Sequence, residues 1–231
     1  MCPSLTFPHR RSPPTDDIRL MSALVPTSTW QQKRALRREL RAARRAITGG
    51  AARSAARCMT RRMQRLGAWQ RARVVALFMA SDGEIDTRPL RQAAWAAGKT
   101  VCLPVIRPQT GQGGRRALLE RGELVFRVLQ PRTPLRPGPL GIPEPIRGAS
   151  AAIPLNRVDL LVMPLVGFDP AGHRLGMGAG FYDRTLAGRG RFRSPWRVGV
   201  AHAVQQVAAL PVDPWDQPLQ ACVTDRKIWT W

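Results

Sequence analysis

Long apolar runs are missing from this 231-residue chain. The longest, VVALFMA at Val74–Ala80 and LLVMPLVGF at Leu160–Phe168, are strand-sized. A membrane-spanning helix needs roughly 20 apolar residues, so the expectation is a protein with no membrane partner. Paired cysteines are missing too. Cys2, Cys58, Cys102 and Cys222 are scattered and form no CxxC pair, which supplies neither zinc-ligand spacing nor a disulfide framework and suits the reducing cytoplasm. Cys102 and Cys222 lie in apolar stretches and read as small core residues. Lysine is scarce, with Lys33, Lys99 and Lys227 the only three among 37 basic residues, and acids number only 15, so the net charge is +22. One reading of that charge is a polyanionic partner such as ATP, a polyglutamylated cofactor or nucleic acid. The other is an arginine-rich composition filling solvated helix faces. Base-stacking aromatics are absent from both basic stretches, Arg34–Arg45 and Arg53–Arg65, which speaks against nucleic acid.

The length and a hydrophobic content of 44% suit one medium-sized domain. Residues 1–27 mix Pro, Ser, Arg and Thr without periodicity and read as a disordered extension, with Met21 an alternative start and 28–231 the domain proper. HRRSPP fits a transit peptide, whereas Asp16 and Asp17 do not, and the apolar core of a secretory signal is not found. From Thr29 the pattern is helical, with Thr29 or Ser28 able to cap it. Leu36, Leu40, Ala43 and Ile47 fall on one stripe, Lys33 and Arg37 share a different face, and Gly49–Gly50 serve as the stop. A second helix is expected over Ala51–Leu66.

Val74–Ala80 reads as a strand buried on both faces, followed by the polar loop SDGEID. A helix capped by Thr87 then runs to about Ala97, Gly98 stops it, and Val101–Val105 is the next strand. Pro108–Pro145 is rich in Gly and Pro. Its short segments Ala117–Arg121 and Leu124–Val128 are expected as antiparallel strands and loops inserted at the sheet edge, and GIPEP at Gly141–Pro145 must be extended. Asp159–Pro164 is a third buried strand. After the loop GFDPAGHRLGMGAG come a helix from Phe181 to about Ala187, a core strand at Trp196–Ala201 and a helical stretch around Val204–Ala209. The strand–helix–strand rhythm predicts an α/β fold with a mostly parallel sheet.

The chemistry concentrates in Arg174–Asp183, RLGMGAGFYD. Gly176, Gly178 and Gly180 alternate between a strand and a helix, so successive backbone N–H groups can turn toward one anion beside a helix N-terminus. Arg174 and His173 add cationic or donor groups, and Asp183 in the first helical turn is placed to hold a Mg2+ that bridges phosphates. The loop lacks the G-K-[ST] ending of a Walker loop. Its glycines alone fit a flexible connection with Asp183 as a helix-capping acid equally well.

The longer stretch FDPAGHRLGMGAGFYDRTL resembles the signature of the 5-formyltetrahydrofolate cyclo-ligase family, also called methenyltetrahydrofolate synthetases. KRALRREL at Lys33–Leu40, EIDT at Glu84–Thr87, GIPEP, and LPVDPWDQPL near the end resemble further family motifs and follow in family order from Lys33 to Asp225. The resemblance implies a three-layer, open, mostly parallel sheet flanked by helices, of the NagB/RpiA/CoA transferase-like kind, with a small antiparallel edge insertion. It implies a ligase forming C–N bonds that uses ATP and Mg2+ to convert 5-formyltetrahydrofolate, with or without a polyglutamate tail, into 5,10-methenyltetrahydrofolate. ADP and phosphate leave, and the route runs through a phosphorylated formyl group.

The resemblance also implies residue roles. Lys33, Arg34, Ala35, Leu36 and Arg37, with Arg174, Leu175, Gly176, Met177, Gly178, Ala179, Gly180, Phe181 and Tyr182, would bind ATP. Met79, Glu84 and Met177–Phe181 would meet the folate, Asp183 and Asp216 would hold Mg2+, and Arg174 and Asp183 would be catalytic. A monomer is implied. Departures from the family pattern are Met177 and Ala179 at variable loop positions, Phe181 for a common tyrosine and Gln220 where relatives often carry an acid. The alternatives are a family relative with altered activity, an α/β isomerase or acyltransferase without ATP, and a basic nucleic-acid-binding protein.

Overall fold

The computed structural model describes residues 28–107, 115–188 and 195–231. The expected extension at 1–27 and the start of the edge insertion at 108–114 lie outside them.

Helix α1 (Thr29–Arg45) opens with a capping box: the Ser28 side chain accepts from the Gln31 amide, and the Gln31 side chain accepts from the Ser28 amide. Its inward face differs from the expected stripe. Lys33, Leu40 and Arg44 are buried and Arg37 is half-buried, while Ala43 and Ile47 are only partly covered. The reason is where the helix sits. It packs on the 203–205 turn and on β8 (Gly167–Phe168), among loops at the end of the sheet, so its inward face meets carbonyls and carboxylates. Long cationic side chains can line such a contact with their methylene stems while their heads find acceptors.

Gly49–Gly50 do not end this helix. It stops at Arg45, and Gly49, at φ +57°, opens α2 (Gly49–Gln64). The short α3 (Gly67–Arg71) leads into β1 (Val74–Ala76), shorter than the expected strand. Helix α4 (Arg88–Ala96) follows, but Thr87 does not cap it. The Thr87 hydroxyl instead donates to the Phe78 carbonyl at 2.7 Å, and Pro89 in the first turn needs no amide partner.

After β2 (Thr100–Arg107), residues 115–121 form a helix, α5 (Arg115–Arg121), rather than the expected strand. RALLER is a run of strong helix formers without β-branching. Strand β3 (Glu123–Val128) pairs antiparallel with β2; β4 (Leu135–Pro137) and β5 (Pro143–Pro145) form a separate antiparallel pair, and β6 (Ala152–Ile153) adds to β3 at the edge of the main sheet. Next come β7 (Leu160–Pro164), β8, β9 (Arg174–Leu175), α6 (Phe181–Leu186), β10 (Trp196–Ala201), β11 (Ala221–Thr224) and β12 (Ile228–Thr230). The stretch expected as helix around Val204–Ala209 is one 3-10 turn, Ala203–Gln205.

The eight-stranded sheet runs β12-β11-β10-β7-β1-β2-β3-β6, parallel from β11 to β2 and antiparallel at both edges. One face packs Val75, Leu77, Val162 and Val200 against Met59, Met63, Trp69 and Leu90 from α2, α3 and α4. The other packs Ala76, Leu161, Met163 and Cys222 against Leu186 of α6. Each fully buried Leu or Val in these layers contributes roughly 1.5–3 kcal/mol, which holds the strand ends rigid enough to carry a site. From β1 the chain crosses through α4 to β2 on one side, whereas β7 lies on its other side and leads on to β10. The crevice at the carboxyl ends of β1 and β7 is therefore the topological switch point, where α/β sheets bind ligands. The SDGEID loop leaves β1 there, and the loop leading to the glycines leaves β7.

Candidate active site

Helix α1 lies across that crevice and joins distant segments. Lys33 Nζ donates to Asp213 Oδ2 at 2.7 Å and to Asp216 Oδ2 at 2.5 Å. Burial works against its ammonium, but the two carboxylates outweigh it and hold the pKa above the ordinary lysine value. One turn on, Arg37 Nε donates to the Gly176 carbonyl at 2.8 Å. Arg37 thus reaches the glycine loop, and Lys33 the turn that holds Asp213 and Asp216. Arg34 and Ala35 lie exposed on the outer side of the same helix, and Leu36 is half-buried against a small cluster with Leu40, Leu175 and Val166.

The glycine loop is fixed at both ends. Arg174 is buried, and its Nη2 donates to Asp183 Oδ1 at 2.7 Å. Its Nε is buried with no hydrogen-bond partner among the described residues. Asp183 also accepts the Gln217 amide at 3.1 Å, which brings the residue after Asp216 onto Asp183. At the far end Arg184 donates to the Ala179 carbonyl at 2.7 Å and to the Gly122 carbonyl. Gly178 has φ +106° and faces the Arg37 guanidinium, while Gly180, at φ +66°, is the left-handed residue that starts α6. These two need glycine because an L side chain there is strained.

The loop from β1 is clamped on α1. Asp82, at φ +51°, accepts from Arg41 Nε at 2.8 Å, from Arg44 Nη2 at 2.7 Å and from Arg45. Burial raises its carboxyl pKa, yet the hydrogen bonds from these arginines win and hold it well below the usual carboxylate range. Arg44 is wholly buried. It also donates to the Asp82 carbonyl at 2.9 Å and to the Leu165 carbonyl at 3.1 Å, and it stands 3.8 Å from Glu84 Oε1 and from Met177 Sδ. It therefore links the β1 loop, the end of β7 and the glycine loop.

Glu84 accepts the Ser81 amide at 3.0 Å. Burial raises its pKa, partly offset by the Ser81 hydrogen bond and by Arg44. Tyr182 is half-buried beneath the Arg174 guanidinium, 5.8 Å from its ring centroid. Burial chiefly raises its phenol pKa, with Arg174 lowering it and Glu84 raising it. Glu84, Tyr182 and Arg174 thus share one electrostatic neighbourhood. Phe181 instead turns inward, with Arg184 over its ring at 5.2 Å and partial burial in the core. Met79 packs on the α2/α4 side, where Arg91 Nη1 lies 3.2 Å from its sulfur. The described contacts do not bring Met79 to the glycine loop.

Three residues went unread in the sequence: Asp82, Arg44 and Asp213. The Asp-Gly pair at 82–83 marks a turn and was a usable signal for Asp82. Nothing distinguishes Arg44 from its neighbours Arg41 and Arg45 until α1 is placed. Asp169, in the same FDPAGHR run, is structural. It accepts from the Ala171, His173 and Leu210 amides and from the His173 ring, closing the turn before β9.

Among the described residues no group of three His, Cys, Asp or Glu side chains gathers to hold a metal. The two carboxylates expected from the sequence, Asp183 and Asp216, are brought near one another through Gln217, whose amide donates to Asp183. Two carboxylates suit Mg2+, which keeps water and phosphate oxygens in the remaining positions of its shell.

Known proteins resemble this chain over most of its length. The family model of the 5-formyltetrahydrofolate cyclo-ligase family matches residues 29–225. The 5-formyltetrahydrofolate cyclo-ligase of Escherichia coli (strain K12) is 44% identical over 160 residues, covering 69% of this chain and 82% of that protein. The Haemophilus influenzae protein of the same name is 38% identical over 189 residues, covering 82% and 95%. The solved structure of Aquifex aeolicus 5,10-methenyltetrahydrofolate synthetase superposes with a TM-score of 0.68 at 28% identity, covering 86% of this chain and 92% of that one. A Mycoplasma pneumoniae 5,10-methenyltetrahydrofolate synthetase, at 20% identity, shares the fold with a TM-score of 0.62 and coverage of 84% and 99%. This chain belongs to the 5-formyltetrahydrofolate cyclo-ligase family.

Proposed function

We propose that the protein closes the ring of 5-formyltetrahydrofolate at the expense of ATP, giving 5,10-methenyltetrahydrofolate, ADP and phosphate. The observation that carries this reading is the meeting of α1 with the glycine loop. Lys33 stands 2.5 Å from Asp216 and Arg37 2.8 Å from the Gly176 carbonyl, with Asp183 and the buried, underused Arg174 beside them. Two cations, a run of glycine amides and two carboxylates are the parts that a metal–triphosphate requires.

A formamide oxygen is a poor leaving group. Phosphorylating it lets phosphate leave, and N10 then attacks the one-carbon unit. The protein's share is alignment and charge stabilisation. In this reading Lys33, Arg37 and the amides of Gly176–Tyr182 hold the phosphates. Arg34, Ala35, Leu36 and Leu175 form the adjoining wall. Arg174 neutralises charge on the transferred group, and Glu84 receives two N–H bonds from the pterin. Met79 and the Met177–Phe181 segment border the folate. Asp183 and Asp216 would hold Mg2+, which supplies charge neutralisation on the phosphates. Lys33 pairs with Asp216 and Arg174 with Asp183, so in this reading nucleotide binding exchanges these ion pairs for contacts to phosphate and metal.

Residues 28–231 act as one domain in this reading. A monomer is the assembly state proposed with it. No helix of the described residues is long and apolar enough to cross a membrane, in keeping with a cytoplasmic enzyme. A polyglutamate tail on the folate would suit the net charge of +22. The metal role is tested with Asp183→Asn. We expect a higher Mg2+ requirement for turnover with an unchanged circular dichroism spectrum, and a Mg2+ titration identical to that of the original chain would refute it.

A further inference from the structure

We propose that Trp215 is the surface on which the base of the bound nucleotide stacks. This inference rests on the nucleotide reading above and adds a base-recognition residue to it.

The chain has seven tryptophans. Trp69, Trp95, Trp196, Trp229 and Trp231 are buried or half-buried. Trp30 and Trp215 are the two that stand in solvent, at 61% and 66% exposure. The Trp30 ring already has a partner, since the Arg34 guanidinium lies 5.4 Å from its centroid. Trp215 has no ring contact and no cation over its face among the described residues. An indole left out of the core forgoes substantial burial, and such a surface commonly meets a ligand that is flat on one side and wet on the other.

Its position names that ligand. The next residue, Asp216, is bonded to Lys33, and the one after, Gln217, donates its amide to Asp183. Trp215 therefore adjoins, along the chain, the two residues that meet Lys33 and Asp183, with its indole exposed. A nucleotide has the same layout, with a flat base set off from its phosphates by a ribose.

The support is rigid. The Asp216 amide donates to the Asp213 carbonyl at 3.0 Å, the Asp213 amide donates to Asp216 Oδ2 at 2.9 Å, and the Gln217 side chain donates to the Trp215 carbonyl at 3.2 Å. With the Asp213–Asp216 turn closed on itself and Gln217 bonded to Asp183, the segment presents the indole without needing to fold around the ligand. Stacking is tolerant of base identity and contributes through area and π-contact, so its loss should weaken a nucleotide and spare its bare phosphate chain.

Calorimetric titration of the full chain with MgADP and with magnesium tripolyphosphate separates the two. Trp215→Ala is expected to weaken MgADP binding roughly five- to hundredfold while leaving tripolyphosphate within about twofold, and Trp215→Phe to restore most of the loss. Because the side chain is exposed, the alanine variant keeps the fold. Equal weakening of both probes, no change toward MgADP, or a loss that appears for 5-formyltetrahydrofolate instead would overturn the inference. If the unmodified chain binds neither probe, the nucleotide reading fails and this inference fails with it.

Discussion

Replacing Asp82 with Asn keeps the shape of the side chain and tolerates the left-handed backbone at φ +51°, so the variant isolates the charge. Arg44 is fully buried, and with a neutral amide in place of the Asp82 carboxylate its guanidinium keeps the carbonyls of Asp82 and Leu165, the Met177 sulfur and the more distant Glu84 at 3.8 Å. Removing one partner of a buried ion pair typically costs about 3–5 kcal/mol. Asp82 retains 19% exposure of its side chain and the two carbonyls remain, so the expected loss is lower, about 2–3 kcal/mol. For a chain of this size that lowers the midpoint of thermal unfolding by roughly 5–10 °C.

The pH dependence gives a second readout. The Asp82 pKa is depressed in the folded protein because the three arginines outweigh its burial. Its contribution is complete above the unfolded value of about 3.9 and drains away as the pH falls toward the folded value. Urea unfolding should therefore show a constant gap between original and variant from pH 6 to 8, closing progressively below about pH 4. A loss under about 0.5 kcal/mol at pH 7, or a gap that widens in acid, would refute the role given to Asp82 and Arg44.

Two further changes probe the two halves of the site. Gly178→Ala places a side chain at φ +106°, a strain of roughly 1–3 kcal/mol, so unfolding stability should fall by at most that amount and the KM for ATP should rise about tenfold in initial-rate assays as the loop shifts. An unchanged KM would show that the loop does not hold the nucleotide. Glu84→Gln exchanges a charge-assisted acceptor for a neutral amide and should raise the KM for the folate about tenfold or more, with the KM for ATP within about twofold. Equal increases for both substrates would remove Glu84 from the pterin.

The sheet was legible because its strands are continuous buried apolar runs. LLVMP at Leu160–Pro164 and, apart from Arg197, WRVGVA at Trp196–Ala201 are runs of the kind that central parallel strands bury on both faces. The errors fell where tertiary contact decides. Thr87 is an ordinary cap in sequence, but its hydroxyl donates to the Phe78 carbonyl in the segment after β1. Periodicity on α1 favours Leu36, Leu40, Ala43 and Ile47, yet that helix lies on loops rather than on the sheet, and polar acceptors turn Lys33 and Arg44 inward. Residues 115–121 were read by their Gly- and Pro-rich surroundings, while the segment itself has helix-forming composition. The glycine loop and its cations were legible through family resemblance. Asp213 and Arg44 were not, because their roles exist only through partners far along the chain, at Lys33 and at Asp82 and Leu165.

The central claim is that this one pocket couples ATP to ring closure of the folate. The direct measurement is the near-ultraviolet absorbance of 5,10-methenyltetrahydrofolate when the purified chain meets 5-formyltetrahydrofolate, with phosphate release followed in parallel. The account predicts product that requires both ATP and Mg2+, with one phosphate released for each ring closed. Ring closure at the same rate without ATP, or ATP hydrolysis that forms no methenyl product, would contradict it.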